Sequence, residues 1–151
     1  EIYDAFYADY GEGRAFLHSH TYAGNPLGCA AALAVQKIFR EQPILQTAQE
    51  NADWLTKKMQ HAIGSHPHVG EIRHLGLIHA VELVKAPAVK EPFDAKKRIG
   101  YAIYKKALSY GLVLRPLGDV LYFNPPLNIT RKELSMAIEI MQKAMTDVLG
   151  Q

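Results

Sequence analysis

Apolar side chains recur at three- and four-residue steps in three long stretches of this chain. Ile44, Ala48, Ala52, Leu55, Met59 and Ala62 fall on one face of a helix that Pro43 opens and that runs to about Ile63. Ile99, Ile103, Ala107 and Tyr110 mark a helix over residues 95–110, with Gly111 as its stop. Leu134, Ile138, Met141, Met145 and Val148 define the last one. Thr130, with Glu133 three residues on, has the spacing in which a hydroxyl and a carboxylate cap a first turn reciprocally. Between these stretches, residues 69–84 predict two strands broken near Gly76, with Ile72, Leu75, Leu77, Ile78, Val81, Leu83 and Val84 as core candidates. Residues 112–115 and 120–123 predict a strand pair that turns through Gly118-Asp119 and stops at Pro125-Pro126. The loop over 85–94 carries two prolines. The order describes an α+β fold, a small, mostly antiparallel sheet covered by helices.

The first forty residues follow another pattern. Residues 1–9 read as a short helix, Gly11-Glu12-Gly13 as a turn and 15–17 as a short strand. Asn25 can cap a helix whose first residue is Pro26, where a missing N–H costs nothing. The run Leu27-Gly28-Cys29-Ala30-Ala31-Ala32-Leu33-Ala34-Val35 is apolar nearly all round, the mark of a buried helix. A boundary falls near Gln42-Pro43. The chain begins at Glu1 without Met, inside an aromatic-bearing helix, so sequence upstream is expected.

Composition removes several alternatives. Hydrophobic residues make up 48% and charged residues 21% of 151, which excludes a disordered or fibrous chain. The net charge of +2 with no basic run gives no footprint for nucleic acid or an anionic membrane. Cys29 is the single cysteine, so an internal disulfide is excluded. With no signal-peptide pattern and no apolar run long enough for a bilayer, the expected location is cytoplasmic.

Polar side chains crowd at His18, Ser19, His20, Thr21 and Tyr22, just before a helix start, a place that suits an anion such as a phosphate and equally an ordinary cap. His18 and His20, like His66 and His68, have a spacing that could bind a metal, but neither pair has a third and fourth ligand nearby, so no metal is expected. Arg115 sits within an apolar strand. It either pairs with an acid such as Glu82 or Asp119, or points at a ligand carboxylate. Arg73 and Glu82 raise the same question. Tyr122 alternates with Phe123 and places its hydroxyl either in a pocket or in the core. Cys29 and Trp54 read as packing residues, and Lys96-Lys97-Arg98 and Lys105-Lys106 as solvated helix faces.

Three stretches, taken in order, say more. The segment His18 to Ala32 resembles the HxHTYxGNPLxCAAAL stretch of class III pyridoxal-phosphate-dependent aminotransferases. Gly70-Glu71-Ile72-Arg73-His74-Leu75-Gly76 with Val81-Glu82-Leu83 resembles strands of that family's terminal domain, and the run from Gly111 through Arg115-Pro116-Leu117-Gly118 to Pro125-Pro126-Leu127 resembles its end. The resemblance covers essentially the whole chain. It implies the C-terminal part of a fold-type I transferase, with residues 1–42 a remnant of the large cofactor-binding domain and 43–151 the small domain. It implies pyridoxal 5'-phosphate as cofactor, with Thr21 and His20 binding it across a homodimer interface. It implies Ser19, Arg115 and Tyr122 as substrate contacts, Arg115 reading the carboxylate of a keto acid, and a separate amino donor. Ser19-His20 stands where adenosylmethionine-using members carry Gly-Pro, which leans the donor towards lysine. The Schiff-base lysine of the family lies upstream of the segment matched here, so no catalytic residue is assigned and the chain alone is expected to be inactive. The alternatives are another class III aminotransferase, with an ω-amino acid or ornithine-like substrate, and a non-catalytic dimerisation or binding module.

Overall fold

The computed structural model describes residues 1–16, 21 and 23–150, which form two compact units, Glu1–Glu41 and Gln42–Gln151. In the first, α1 (Ile2–Phe6) stacks Tyr3 on Tyr7 with ring centroids 5.0 Å apart, and a 3-10 turn follows at Tyr10–Glu12. Ala15 and Phe16 belong to no strand, contrary to expectation, and Leu17 lies outside the described residues. Helix α2 (Pro26–Glu41) starts as expected: Asn25 Oδ1 accepts the N–H groups of Leu27 at 2.9 Å and Gly28 at 3.3 Å. The expectation that this helix is buried fails. None of its residues is buried, and Cys29 is exposed rather than packed. Periodicity reports that a helix has no polar side, not that a layer exists to cover it. Among the described residues of this unit, the other elements are a five-residue helix and a 3-10 turn.

The second unit holds a sheet of order β1-β2-β4-β3, antiparallel throughout, built from β1 (Val69–Leu75), β2 (Ile78–Leu83), β3 (Arg115–Leu117) and β4 (Val120–Phe123). Helices α3 (Ile44–Ile63), α4 (Ile99–Ser109) and α5 (Arg131–Leu149) cover one face. Leu55, Met59 and Ile63 of α3, Ile103 of α4, and Leu134 and Met145 of α5 meet Val81 and Leu121 of the sheet, all at most 1% exposed. Each such side chain contributes roughly 1.5–3 kcal/mol of transfer free energy. The α+β expectation holds. The capping box at Thr130 and Glu133 is formed in both directions.

Local differences have local causes. Leu75 and Ile78, paired across the β1–β2 turn, are 81% and 47% exposed, while Leu77 between them is buried. The helix expected over 95–110 is broken. A 3-10 turn at Ala95–Lys97 is followed by Arg98 at φ 48°, and α4 begins at Ile99. The β3–β4 turn packs against this start: Asp119 Oδ1 accepts the Gly100 N–H at 3.0 Å, and a Cβ on Gly100 would lie 2.2 Å from the Gly118 carbonyl oxygen. Lys96, Lys97 and Arg98 are therefore not on a helix face with Lys105 and Lys106. The first strand of the last pair starts at Arg115 rather than 112, since β4 has only four residues to pair with it. Pro116 is tolerated there because β3 is an edge strand.

Two polar residues lie inside the apolar layer. His79 is fully buried. Its Nδ1–H donates to the Leu77 carbonyl at 3.2 Å, its Nε2 meets the Thr56 hydroxyl at 2.9 Å, and its ring stacks on His74 at 5.0 Å. Asn51, 5% exposed, clamps α3 to the segment before α5: its Nδ2 donates to the Ile129 carbonyl at 3.0 Å and its Oδ1 accepts from Arg131 Nε at 3.1 Å.

Burial holds the imidazoles of His79 and His66 below their ordinary value of 6.5. The unfolded chain then binds more protons than the folded one below that pH, so their contribution to stability is full above about 6.5 and is lost as pH falls through the lower folded values. Urea unfolding is expected to show lower stability at about pH 5.5 than at 7.5. His79→Gln should flatten that dependence, and an unaltered slope would count against the buried neutral imidazole. Asn51→Ala leaves the Ile129 carbonyl and the Arg131 guanidinium without this partner and should cost about 1–3 kcal/mol by the same measurement.

Candidate functional site

The β3–β4 hairpin positions the two residues of the second unit to which the sequence assigned chemistry. Arg115 is the direct cross-strand partner of Tyr122, Tyr122 of Ala80, and Ala80 of Arg73. The row Arg73–Ala80–Tyr122–Arg115 thus crosses the whole sheet. Neighbouring positions Val81 and Leu121 point into the helices, so this row faces the other way. Phe123 alternates with Tyr122 and packs against the core, as expected.

The acids that could have neutralised Arg115 are engaged elsewhere. Glu82 pairs with Arg73 at 2.5 Å, and Asp119 caps α4. Among the described residues Arg115 has no ion pair or hydrogen bond, so the reading as an internal pair with Glu82 or Asp119 is excluded. Glu71 also lies 3.4 Å from Arg73, and the two carboxylates hold that guanidinium above its ordinary value, Glu82 being the stronger influence.

Arg115 and Tyr122 line a cleft of about 490 Å³ together with Leu112, Val113, Pro125 and Met136. Residues 112–114, released from the sheet, form one wall, and α5 forms the other. Glu133 is the cleft's one acidic residue. Its hydrogen bonds from the Thr130 hydroxyl and backbone N–H hold its carboxyl below the usual range, so it is charged at neutral pH. The arrangement is one unpaired cation beside a phenol, on a mostly apolar cleft. It can hold a carboxylate that carries an aliphatic chain.

In the first unit, Thr21 stands exposed in the turn before α2. His20 and Ser19, the other two positions assigned by resemblance, lie outside the described residues, as do His18 and Tyr22. An exposed hydroxyl at a helix entry is the kind of donor a phosphate takes. Of the other histidines, His66 Nδ1 accepts the backbone N–H of His68, and no cluster of three metal-ligating side chains occurs among the described residues.

The sequence reading overlooked Asn51, whose clamp sets the Ile129 side of the cleft. A signal was present: an asparagine on the buried stripe of α3, between Ala48 and Leu55.

The pattern of the family described as aminotransferase class-III matches residues 1–145. The chain is 41% identical over 150 residues to an adenosylmethionine-8-amino-7-oxononanoate aminotransferase of Geobacter sulfurreducens, covering 99% of this chain and 33% of that protein. The crystal structure of the enzyme of that name from Methanocaldococcus jannaschii superposes with a TM-score of 0.86 at 34% identity, over 98% of this chain and 34% of the other. A PMP-bound aminotransferase from Vibrio fluvialis gives 0.84 at 28% identity, over 93% and 31%. The chain spans about a third of the length of the proteins it matches. It belongs to the class III aminotransferases.

Proposed function

We propose that this chain is the C-terminal part of a homodimeric, cytoplasmic, pyridoxal-phosphate-dependent aminotransferase that converts 8-amino-7-oxononanoate to 7,8-diaminononanoate in biotin biosynthesis. The observation that carries this reading is Arg115, unpaired beside Tyr122 on a mostly apolar cleft. The substrate joins a carboxylate to a long aliphatic chain. A planar guanidinium takes the carboxylate through two parallel hydrogen bonds, and the apolar walls take the chain. The relatives' names support the substrate.

Residues 1–42 are then a remnant of the large domain and 43–151 the small domain. Pyridoxal 5'-phosphate, when bound, supplies the electron sink that transamination needs. On this chain the Thr21 hydroxyl would donate to the cofactor's phosphate, with His20 beside it, in the active site of the partner subunit. Ser19 would line the substrate pocket. Tyr122 stands next to Arg115 and limits where the substrate's tail can lie. The Ser19-His20 pair supports lysine as amino donor, whereas the Geobacter relative's name carries adenosylmethionine. The lysine that anchors the cofactor belongs to a part of the protein outside these 151 residues.

Purified alone and supplied with cofactor, 8-amino-7-oxononanoate and either donor, the chain should form no diaminononanoate, and measurable turnover would refute the assignment of the lysine. In the full-length enzyme Arg115→Ala should weaken the carboxylate-bearing substrate by about 2–5 kcal/mol if the pair is buried there, read as a raised KM for the amino-oxo acid. An unchanged KM would remove Arg115 from the substrate site.

A further inference from the structure

We propose that Thr56 and His79 form a proton-operated switch at the seam between α3 and the β1–β2 hairpin: the Thr56 hydroxyl donates to the ring while the imidazole is neutral, and turns to the Ala52 carbonyl when the ring takes up a second proton. The switch lies inside the second unit and does not depend on the proposed transamination.

The count of hydrogens carries the inference. Three contacts run in series: the Leu77 carbonyl to His79 Nδ1 at 3.2 Å, His79 Nε2 to Thr56 Oγ1 at 2.9 Å, and Thr56 Oγ1 to the Ala52 carbonyl at 2.9 Å. A carbonyl only accepts, so Nδ1 must carry a hydrogen. A neutral ring then has a bare Nε2, and together with the single hydroxyl hydrogen only two hydrogens serve three contacts. The hydroxyl donates to Nε2, because an unpaired ring nitrogen is costly in a fully buried side chain, whereas the Ala52 carbonyl keeps the Thr56 backbone N–H within α3. A charged ring supplies the third hydrogen. Nε2–H then donates to Oγ1, and the hydroxyl turns to Ala52. Both states satisfy both ring nitrogens, and they differ by one proton and one rotation about the hydroxyl's C–O bond.

The groups around the ring decide which state prevails. From β1, His74 stacks on it with planes 14° apart; from β4, Phe123 is its cross-strand partner; α3 brings Thr56 and Ala52. No carboxylate is among them, and His74 is the ionisable neighbour whose charge acts on the ring. Burial, with repulsion from His74 added, holds the imidazole below its ordinary value of 6.5 against the pull of the Leu77 carbonyl. The neutral state therefore prevails at neutral pH. The charged state is reached in acid, where an uncompensated charge weakens the seating of the hairpin on α3. Acceptors at both ring nitrogens let that state exist within the fold.

The test reads the ring nitrogen NMR shifts of His79 in the isotope-labelled 151-residue chain. At about pH 7.5 the hydrogen is expected on Nδ1 with Nε2 bare, and on acidification both nitrogens should become protonated while the amide spectrum stays that of the folded chain. Thr56→Val removes the acceptor for the charged ring and should weaken its proton affinity about tenfold or more, and Thr56→Ser should restore it to within about twofold. Valine keeps nearly the shape of threonine, so a packing role alone would leave the titration unmoved. A hydrogen on Nε2 with Nδ1 bare at about pH 7.5, or a titration that Thr56→Val does not shift, overturns the switch. Should Thr56→Val fail to fold, the unaltered chain decides: uptake of the second proton with the fold intact supports the switch, and a ring that stays neutral until the amide spectrum collapses overturns it.

Discussion

Alternation along β2 and β4 is the constraint on which the rest of the second unit depends. Successive residues of a strand point to opposite faces, so burying Val81 and Leu121 under α3 and α5 turns Ala80 and Tyr122 outward. A slip of one residue would expose the core and bury the polar row, and hydrophobic burial forbids it. The chemistry-bearing row Arg73–Ala80–Tyr122–Arg115 is therefore a consequence of the core. The same apolar contacts that stabilise the unit decide which residues can meet a ligand.

Within that row the two arginines have different fates, and local competition for carboxylates decides them. Glu82 sits on β2 within reach of Arg73 on the neighbouring strand, and Glu71 reinforces it. Asp119 is drawn to the exposed N–H groups that open α4. Nothing remains for Arg115. An exposed ion pair adds only about 0–1 kcal/mol, so leaving Arg115 single costs the fold little. An unpaired arginine beside an apolar cleft is cheap to keep and available to a ligand.

Much of this was legible in the chain. The helical stripes, the capping box at Thr130 and the two hairpins follow from periodicity and turn chemistry, which act over a few residues. What failed depended on distant partners. The break at Arg98 exists because the β3–β4 turn presses on Gly100, eighteen residues from Gly118. The exposure of α2, in a chain that spans about a third of its relatives' length, could not be read from the helix's own composition. Arg115 and Tyr122 were named from a resemblance and from alternation, but their cleft needed residues 112–114 to leave the sheet, and the apolar run there reads as strand. Asn51 was visible only as a misplaced polar residue, because its partners Ile129 and Arg131 lie at the far end of the chain.

The β3–β4 hairpin ties the cleft of Arg115 to α4. Arg115 lines that cleft and Pro116, the next residue, paired with Leu121, turns to the other face, as the period of a strand requires. Gly118 and Asp119 pin the hairpin to α4 through the close approach at Gly100 and the hydrogen bond to its N–H. Phe123, at the hairpin's far end, packs against the core beneath α3 and α5. Held at both ends, a strand of three residues cannot shift Arg115 without shifting Pro116.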